Sequence, residues 1–229
     1  MSQADVPQYR YERKLVCENV KLSEALLWIR LNPAMFRTVF PPRHINNIYL
    51  DSPGLGHYFE NKAGAANRTK VRIRWYGPLL GRVTSPILEF KRKHGLLGTK
   101  DSFPLPPFSL ENGLKFRALM ALFKKSNLHP HAAAALTSEE PSLVNRYHRH
   151  YYLSADGAFR LTLDSGLEYH PVSLTDASWQ CSGIKSSILV VELKYDRKAA
   201  PMADRIANSF PTRLTRMSKY CSGIEAIHG

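Results

Sequence analysis

From Lys70 to Gly77 the chain alternates cations with apolar residues: Lys70, Arg72 and Arg74 against Val71, Ile73 and Trp75. A period of two puts these sets on opposite faces of an extended strand. Five further segments repeat the pattern, and 43–51 alternates as a strand without its cations. In 9–16, Arg10, Glu12 and Lys14 oppose Tyr9, Tyr11, Arg13 and Leu15. In 43–51, Tyr49 and Asp51 oppose Ile48 and Leu50, and in 86–93 Glu89, Lys91 and Lys93 oppose Leu88 and Phe90. The second half adds 143–153, with Tyr147, Arg149 and Tyr151 on one face. It also adds 159–164, where Arg160, Thr162 and Asp164 oppose Phe159, Leu161 and Leu163. In 188–195, Val190, Glu192 and Lys194 oppose Leu189, Val191 and Leu193.

Helical spacing separates these strands. Leu22, Ala25, Leu26 and Ile29 predict a helix within 20–31 that Asn32-Pro33 ends. A short helix is expected at 57–62, stopped by Gly64. Phe116, Leu119, Met120 and Phe123 predict another, and Ala132–Ala135 a shorter one leading to Pro141. Met202, Ile206 and Phe210 mark a helix closed by Pro211, and the last residues read as helical. Gly95, Gly98, Pro104, Pro106 and Pro107 punctuate 94–109 as a long loop, and 154–157 as a turn follows the same logic. Residues 1–8 read as a loose tail. The predicted class is α+β.

What the polar faces are for depends on their chemistry. An antiparallel sheet commonly has one wet face, and a single strand of this kind means no more than that. The alternative is a set of strands curled so that the charged faces converge on a water-filled barrel. These faces are built from Arg and Lys with a few acids, whereas ordinary solvent faces mix in Ser, Gln, Asn and Thr. That recurrence favours convergence. Converging cations repel one another unless a polyanion or interleaved carboxylates neutralise them.

The totals agree. The 229 residues carry a formal net charge of +13 and 44% hydrophobic residues, so a real core is expected beside a polyanionic partner. Nucleic acid, an anionic membrane surface and a phosphate-rich small molecule are the three classes. No apolar run approaches the roughly 20 residues of a membrane-spanning helix. The first residues lack a basic-then-apolar signal pattern, so a cytoplasmic protein is expected. Cys17, Cys181 and Cys221 form no Cys-x-x-Cys pair and read as reduced thiols. His148 and His150 share a strand face that could hold a metal, but no third ligand is near in sequence. Lys124-Lys125 reads as a solvated helix end. Tyr9, Tyr11, Tyr151 and Tyr152 read as wall packing before stacking platforms.

Arg-Tyr-Glu-Arg-Lys at 10–14, Lys-Val-Arg-Ile-Arg-Trp-Tyr-Gly at 70–77 and Leu-Glu-Phe-Lys-Arg-Lys at 88–93 resemble the triphosphate tunnel (CYTH-like) superfamily. Tyr147-His-Arg149, Arg160-Leu-Thr-Leu-Asp164, Val191-Glu-Leu-Lys194 and Ser218-Lys-Tyr220 narrow the resemblance to the VTC domain. This is the polyphosphate polymerase domain of the vacuolar transporter chaperone family, and the motifs keep its order over about residues 9–227. The resemblance implies a single tunnel domain at 9–229: an antiparallel β-barrel lined with basic residues and flanked by helices. It implies transfer of the terminal phosphoryl group of ATP to a growing polyphosphate chain, with Mn²⁺ or Mg²⁺. Lys14, Arg72, Arg74, Lys91, Arg149 and Arg160 would contact phosphates at the reacting centre. Arg10, Lys70, Lys93 and Lys194 would add to substrate binding, with Arg216 and Lys219 near the tunnel mouth. Glu192 would hold the metal, with Glu12 and Glu89 as further candidates.

Nucleoside triphosphate and inorganic polyphosphate are thus the implied partners, and nucleic acid is not. Eukaryotic relatives couple synthesis to translocation, so a separate membrane partner is compatible with this chain. Hydrolytic tunnel enzymes open with Glu-x-Glu-x-Lys. Here Arg10 replaces the first glutamate and leaves Glu12, which moves the chain toward the polymerase branch. A triphosphatase or polyphosphatase, and a non-catalytic polyphosphate-binding module, remain the alternatives.

Overall fold

A computed structural model describes residues 10–95, 97–110, 116–173, 178–179 and 182–229, with backbone alone at 10, 97, 116, 117, 173, 178 and 179. The expected tail at 1–8, Tyr9 and Cys181 lie outside the described residues. In chain order the elements begin with β1 (Arg10–Cys17), α1 (Leu22–Arg30), β2 (Arg37–Asp51) and α2 (Gly56–Lys62). Next come β3 (Asn67–Tyr76), β4 (Gly81–Val83), β5 (Ile87–His94), β6 (Leu97–Pro104) and β7 (Phe108–Leu110). Helices α3 (Phe116–Lys125) and α4 (Pro130–Ala135) lead to β8 (Glu140–Leu153) and β9 (Phe159–Ser173). The chain continues through β10 (Ser178–Trp179), β11 (Ile184–Ser186), β12 (Leu189–Asp196), α5 (Ala200–Asn208) and α6 (Lys219–His228). The α+β class is as expected.

The chain forms two compact units. The first holds residues up to 42, 149–165 and 187–217. In it β1 pairs antiparallel with β12, β12 with the first half of β9, and β9 lies beside the end of β8. The apolar parity of each strand supplies one core: Leu15 and Cys17, Phe159, Leu161 and Leu163, and Leu189, Val191 and Leu193. Helix α1 buries Ala25 and Ile29 in that core, and α5 buries Ala203 and Ile206. The Glu24 carboxylate accepts the Lys21 N–H to cap α1. Pro201 in the first turn of α5 costs no hydrogen bond there.

The second unit holds 43–148, 166–186 and 218–229. Its ladder runs from β8 through β2, β3 and β5 to β6, all pairs of known register being antiparallel. Ile48, Leu50, Val71, Ile73, Trp75, Leu88 and Phe90 pack on Leu119, Leu122 and Phe123 of α3 and on Ala132 of α4. Asp51 caps α2, accepting the His57 and Tyr58 N–H groups, and its carboxylate also accepts the Tyr220 hydroxyl. Ser218 caps α6 by accepting the Cys221 N–H.

Two expectations change. The ladders end on edge strands, β1 in the first unit and β6 in the second, so the expected closed barrel is an open antiparallel sheet in each. The long loop expected at 94–109 contains β6 and β7: Gly95, in the left-handed region at φ +61°, turns β5 directly into β6. β9 also runs beyond Asp164 to Ser173, with Gly166 at φ +58°. Among the described residues no helix is long and apolar enough to cross a membrane.

Candidate functional site

Each unit presents a charged strand face on the side opposite its core, and the two faces differ in character. The second unit's is cationic. Arg68, Lys70, Arg72 and Arg74 lie along β3, Lys91 and Lys93 along β5, and Lys100 on β6, with Glu89 the one carboxylate among those positions. Register places Lys70 abreast of Lys91 and Lys91 abreast of Lys100, three lysines side by side across three strands. Directly opposed like charges destabilise a sheet. Arg68 and Lys93 form another opposed pair.

Glu89 serves these cations. Its side chain is fully buried, Arg72 donates to Oε2 from Nε at 2.8 Å and Nη2 at 2.6 Å, and Oε1 lies 3.0 Å from Arg74 and 3.3 Å from Lys100. Burial opposes its ionisation, but Arg72 and Arg74 win and hold the carboxyl down to about 2. Burial likewise opposes the charge on Arg72, yet the Tyr49 and Tyr147 hydroxyls and Glu89 raise its pKa above the ordinary value. Both oxygens of Glu89 are thus taken up by cations, which suits it to neutralisation and poorly to metal holding. Lys70 donates to Ser218 at 2.9 Å, and the buried Lys219 sits with Nζ 4.9 Å from the centre of the Tyr147 ring. Asn47 and Asn145, also buried on this side, bond to each other at 2.8 Å.

The first unit's face interleaves signs. Register puts Glu12 abreast of Lys194 and Lys194 abreast of Arg160, while Lys14 faces Glu192 and Glu192 faces Thr162. Lys14 Nζ lies 3.1 Å from Glu12 and 3.7 Å from Glu192, and Lys194 Nζ 3.7 Å and 3.5 Å from the same two carboxylates. Arg149 binds Asp164 through a two-pronged bond and touches Glu192 at 3.4 Å. Burial and Glu192 push the Glu12 carboxyl up, but Lys14 and Lys194 outweigh them and hold it below its ordinary value. Among the described residues Arg160 and Arg216 are exposed and have no carboxylate partner. Arg10 belongs to β1 by its backbone, and its side chain lies outside the described residues.

A divalent ion is implied by the sequence resemblance, and the donors in this unit fit one. Glu192 meets Lys14, Lys194 and Arg149 only at 3.7, 3.5 and 3.4 Å, more loosely than Glu89 meets its arginines, and it shares both lysines with Glu12, so the two carboxylates lie close together. Among the described residues no group of three or more His, Cys, Asp or Glu could cage an ion alone. Two carboxylates would leave most of the shell to phosphate oxygens and water, as Mg²⁺ accepts. His148 meets His44 at 4.8 Å between ring centres and belongs to no such group. Tyr11 stacks on Tyr195 and Tyr151 meets Phe40 edge-on, which is wall packing.

The sequence reading missed Lys100 and underrated Asp164. Lys100 falls where glycine and proline punctuate the chain as a loop, though Gly98, Lys100 and Ser102 share the strand parity. Asp164 stood inside a quoted motif, but its partner Arg149 is 15 residues away.

An antiparallel sheet with one charged face and one apolar, helix-covered face fits the CYTH-like tunnel class of fold, and solved structures of that class superpose on this chain. A Vibrio parahaemolyticus protein provisionally named an adenylate cyclase matches 97% of this chain and 99% of its own, with TM-score 0.53 and 12% identity. A Pyrococcus horikoshii protein matches 95% and 99%, with TM-score 0.52 and 13% identity. A Hippeastrum protein provisionally named an adenylyl cyclase, and described as having a dominant triphosphatase activity, matches 94% and 96% with TM-score 0.51 and 12% identity. At such identities the likeness carries the fold alone. No curated protein matches the chain. The family model described as VTC domain matches residues 9–228, and the chain belongs to the VTC domain family. That membership supports a phosphoryl-handling function.

Proposed function

We propose that this chain is a divalent-metal-dependent phosphotransferase of the polyphosphate polymerase type, moving the terminal phosphoryl group of ATP to a growing polyphosphate chain. The observation that carries the reading is the row Lys70, Lys91 and Lys100. A bare sheet is destabilised by such a row, whereas a chain of phosphates supplies negative charge at repeated intervals along it. Phosphoryl transfer asks a protein mainly for positioning and for charge stabilisation. Arg72 and Arg74 are pre-oriented by Glu89, and Arg149 by Asp164, so their forks are set before an anion arrives. In the first unit Lys14 and Arg160 contribute charge and donors beside Lys194 and Arg216, and in the second Lys91 does so beside Lys93 and Lys219.

Glu192 with Glu12 would hold Mg²⁺ or Mn²⁺, which supplies neutralisation of the phosphate oxygens when bound. Arg10 in place of a second opening glutamate leaves fewer acceptors to activate water, which favours a phosphate acceptor over hydrolysis. The test is direct. Purified chain is incubated with ATP and Mn²⁺ or Mg²⁺, and products are resolved by length on a gel. A ladder of polyphosphate is expected. Orthophosphate release from tripolyphosphate without any ladder would replace this reading with a triphosphatase, the activity described for the Hippeastrum fold neighbour. Salt-dependent polyphosphate binding with no turnover under any metal would leave a binding module.

A further inference from the structure

Outside the charged faces, exposed apolar surface is concentrated on one stretch of the first unit. Six of the thirteen exposed large hydrophobic side chains among the described residues fall between Leu22 and Phe40: Leu22, Leu27, Leu31, Met35, Val39 and Phe40. Leu27 and Leu31 are four residues apart, on the side of α1 away from buried Ala25 and Ile29. Leu31 and Met35 are 72% and 68% exposed, so they protrude.

The protrusion is built. Met35 occupies the left-handed region at φ 47°, uncommon and costly for a side chain of its size. Asn32 holds the turn there: its buried amide donates to the Ile206 carbonyl and to Ser209, its side-chain oxygen accepts the Ala34 N–H, and its carbonyl accepts the Met35 N–H. Met35 then borders a groove of about 190 Å³ together with Met202 and Arg205.

The charged residues within this apolar stretch have one sign. Residues 25–42 contain Arg30 and Arg37 and no carboxylate. Of the neighbouring acids, Glu24 caps α1, Asp204 pairs with Arg13, and Asp156 lines the same groove as Arg205. Pro41 and Pro42 offer no N–H to an added strand, which blunts pairing of the exposed start of β2 with another chain.

We propose that this face, formed by α1, the turn at 31–36 and the start of β2, docks the chain on an anionic lipid surface. Protruding apolar side chains enter the headgroup boundary, and flanking arginines meet acidic headgroups. A protein partner would more often receive such side chains in pockets and match the arginines with carboxylates. The inference goes beyond the phosphotransferase reading and uses none of its residues.

The test is co-sedimentation of the full chain with vesicles of phosphatidylcholine alone or containing about a third phosphatidylglycerol, with tripolyphosphate present to occupy the charged faces. The expected result is pelleting with the anionic vesicles only. The triple variant Leu31→Ser, Met35→Ser, Phe40→Ser should lose at least about tenfold in apparent affinity, and Arg30→Gln with Arg37→Gln roughly fivefold for each arginine. Circular dichroism checks that both variants fold, and Leu27→Ser with Met202→Ser gives a second apolar set. The proposal is overturned by no pelleting with either vesicle, or by pelleting that tripolyphosphate abolishes and the apolar variants leave unchanged. Light scattering that shows a dimer dispersed by the triple variant also overturns it, in favour of a second copy on this face.

Discussion

Arg149 donates from Nε to one oxygen of Asp164 at 2.5 Å and from Nη2 to the other at 2.6 Å, while the same Nη2 stands 3.4 Å from Glu192. Asp164 is fully buried, so the fork is fixed from behind, and its Nη2 is shared with the proposed metal carboxylate. Asp164→Asn keeps the shape and removes the charge. Turnover should fall about 10- to 100-fold, as for loss of a group that orients a ligand, with polyphosphate still bound. Asp164→Ala should also destabilise the fold by about 3 kcal/mol or more, because a buried cation loses its partner. Steady-state kinetics and urea unfolding measure the two effects separately.

Lys91→Ala should separate stability from function. Removing the middle lysine of the Lys70, Lys91 and Lys100 row relieves repulsion but also removes attraction to Glu89, so the unfolding midpoint should shift little. Polyphosphate affinity should nevertheless drop, and the slope of affinity against salt should become shallower by about one charge. Arg74→Ala should abolish product without unfolding the chain. Wild-type synthesis in both variants would remove the cationic face from the mechanism.

Acid should attack the fold through Glu89. Its folded pKa of about 2 lies below the ordinary 4.5, so its contribution is complete above 4.5 and is lost as pH falls from there toward 2. The contribution is about 3 kcal/mol by that difference. Glu89→Gln should therefore unfold earlier than wild type at neutral pH, with the gap closing near pH 2. Tripolyphosphate should stabilise the variant more than wild type, since Arg72 and Arg74 lack their carboxylate. Thermal melts across pH, with and without the anion, measure both.

Glu192→Gln should end metal-dependent turnover and leave salt-sensitive polyphosphate binding, and Glu12→Gln should weaken turnover less. Chelation of divalent ions should reproduce the Glu192 result in wild type. Loss of anion binding in Glu192→Gln would show that the carboxylate organises Lys14, Lys194 and Arg149 and does not hold an ion.

Gly223→Ala should destabilise, although alanine favours a helix interior by about 1 kcal/mol over glycine. A Cβ on Gly223 would press into the Leu143 and Tyr169 side chains, both fully buried beneath α6. Overpacking of this kind costs about 1–3 kcal/mol. Chemical unfolding tests the sign.

The strands were legible because their signal is local. Val71, Ile73 and Trp75 need no distant partner to mark one face of β3, and Leu189, Val191 and Leu193 mark β12 in the same way. The same locality hid β6, where Gly95, Gly98 and Pro104 read as loop punctuation. Gly95 is a tight turn, and Pro104 closes β6 abreast of Ile87. The site candidates were legible as residue types, but their duties were not. Glu89 and Glu192 have the same sequence character, an acid between apolar residues on a strand. Arg72 and Arg74 grip Glu89 at 2.6 and 3.0 Å in one unit, whereas Glu192 meets its cations at 3.4 Å or more and shares Lys14 and Lys194 with Glu12 in the other.

The sequence by itself determined which residues face the core and which carry charge away from it, since backbone pleating converts a period of two into two faces. Only the tertiary structure decided which charges stand abreast. Register is set by how each strand pairs with its neighbours, β5 with β3 and with β6, and a shift of one residue would exchange the faces. Hence the lysine row, the Asp164 clamp on Arg149 and the turn that exposes Met35 could not be read from the residues in order.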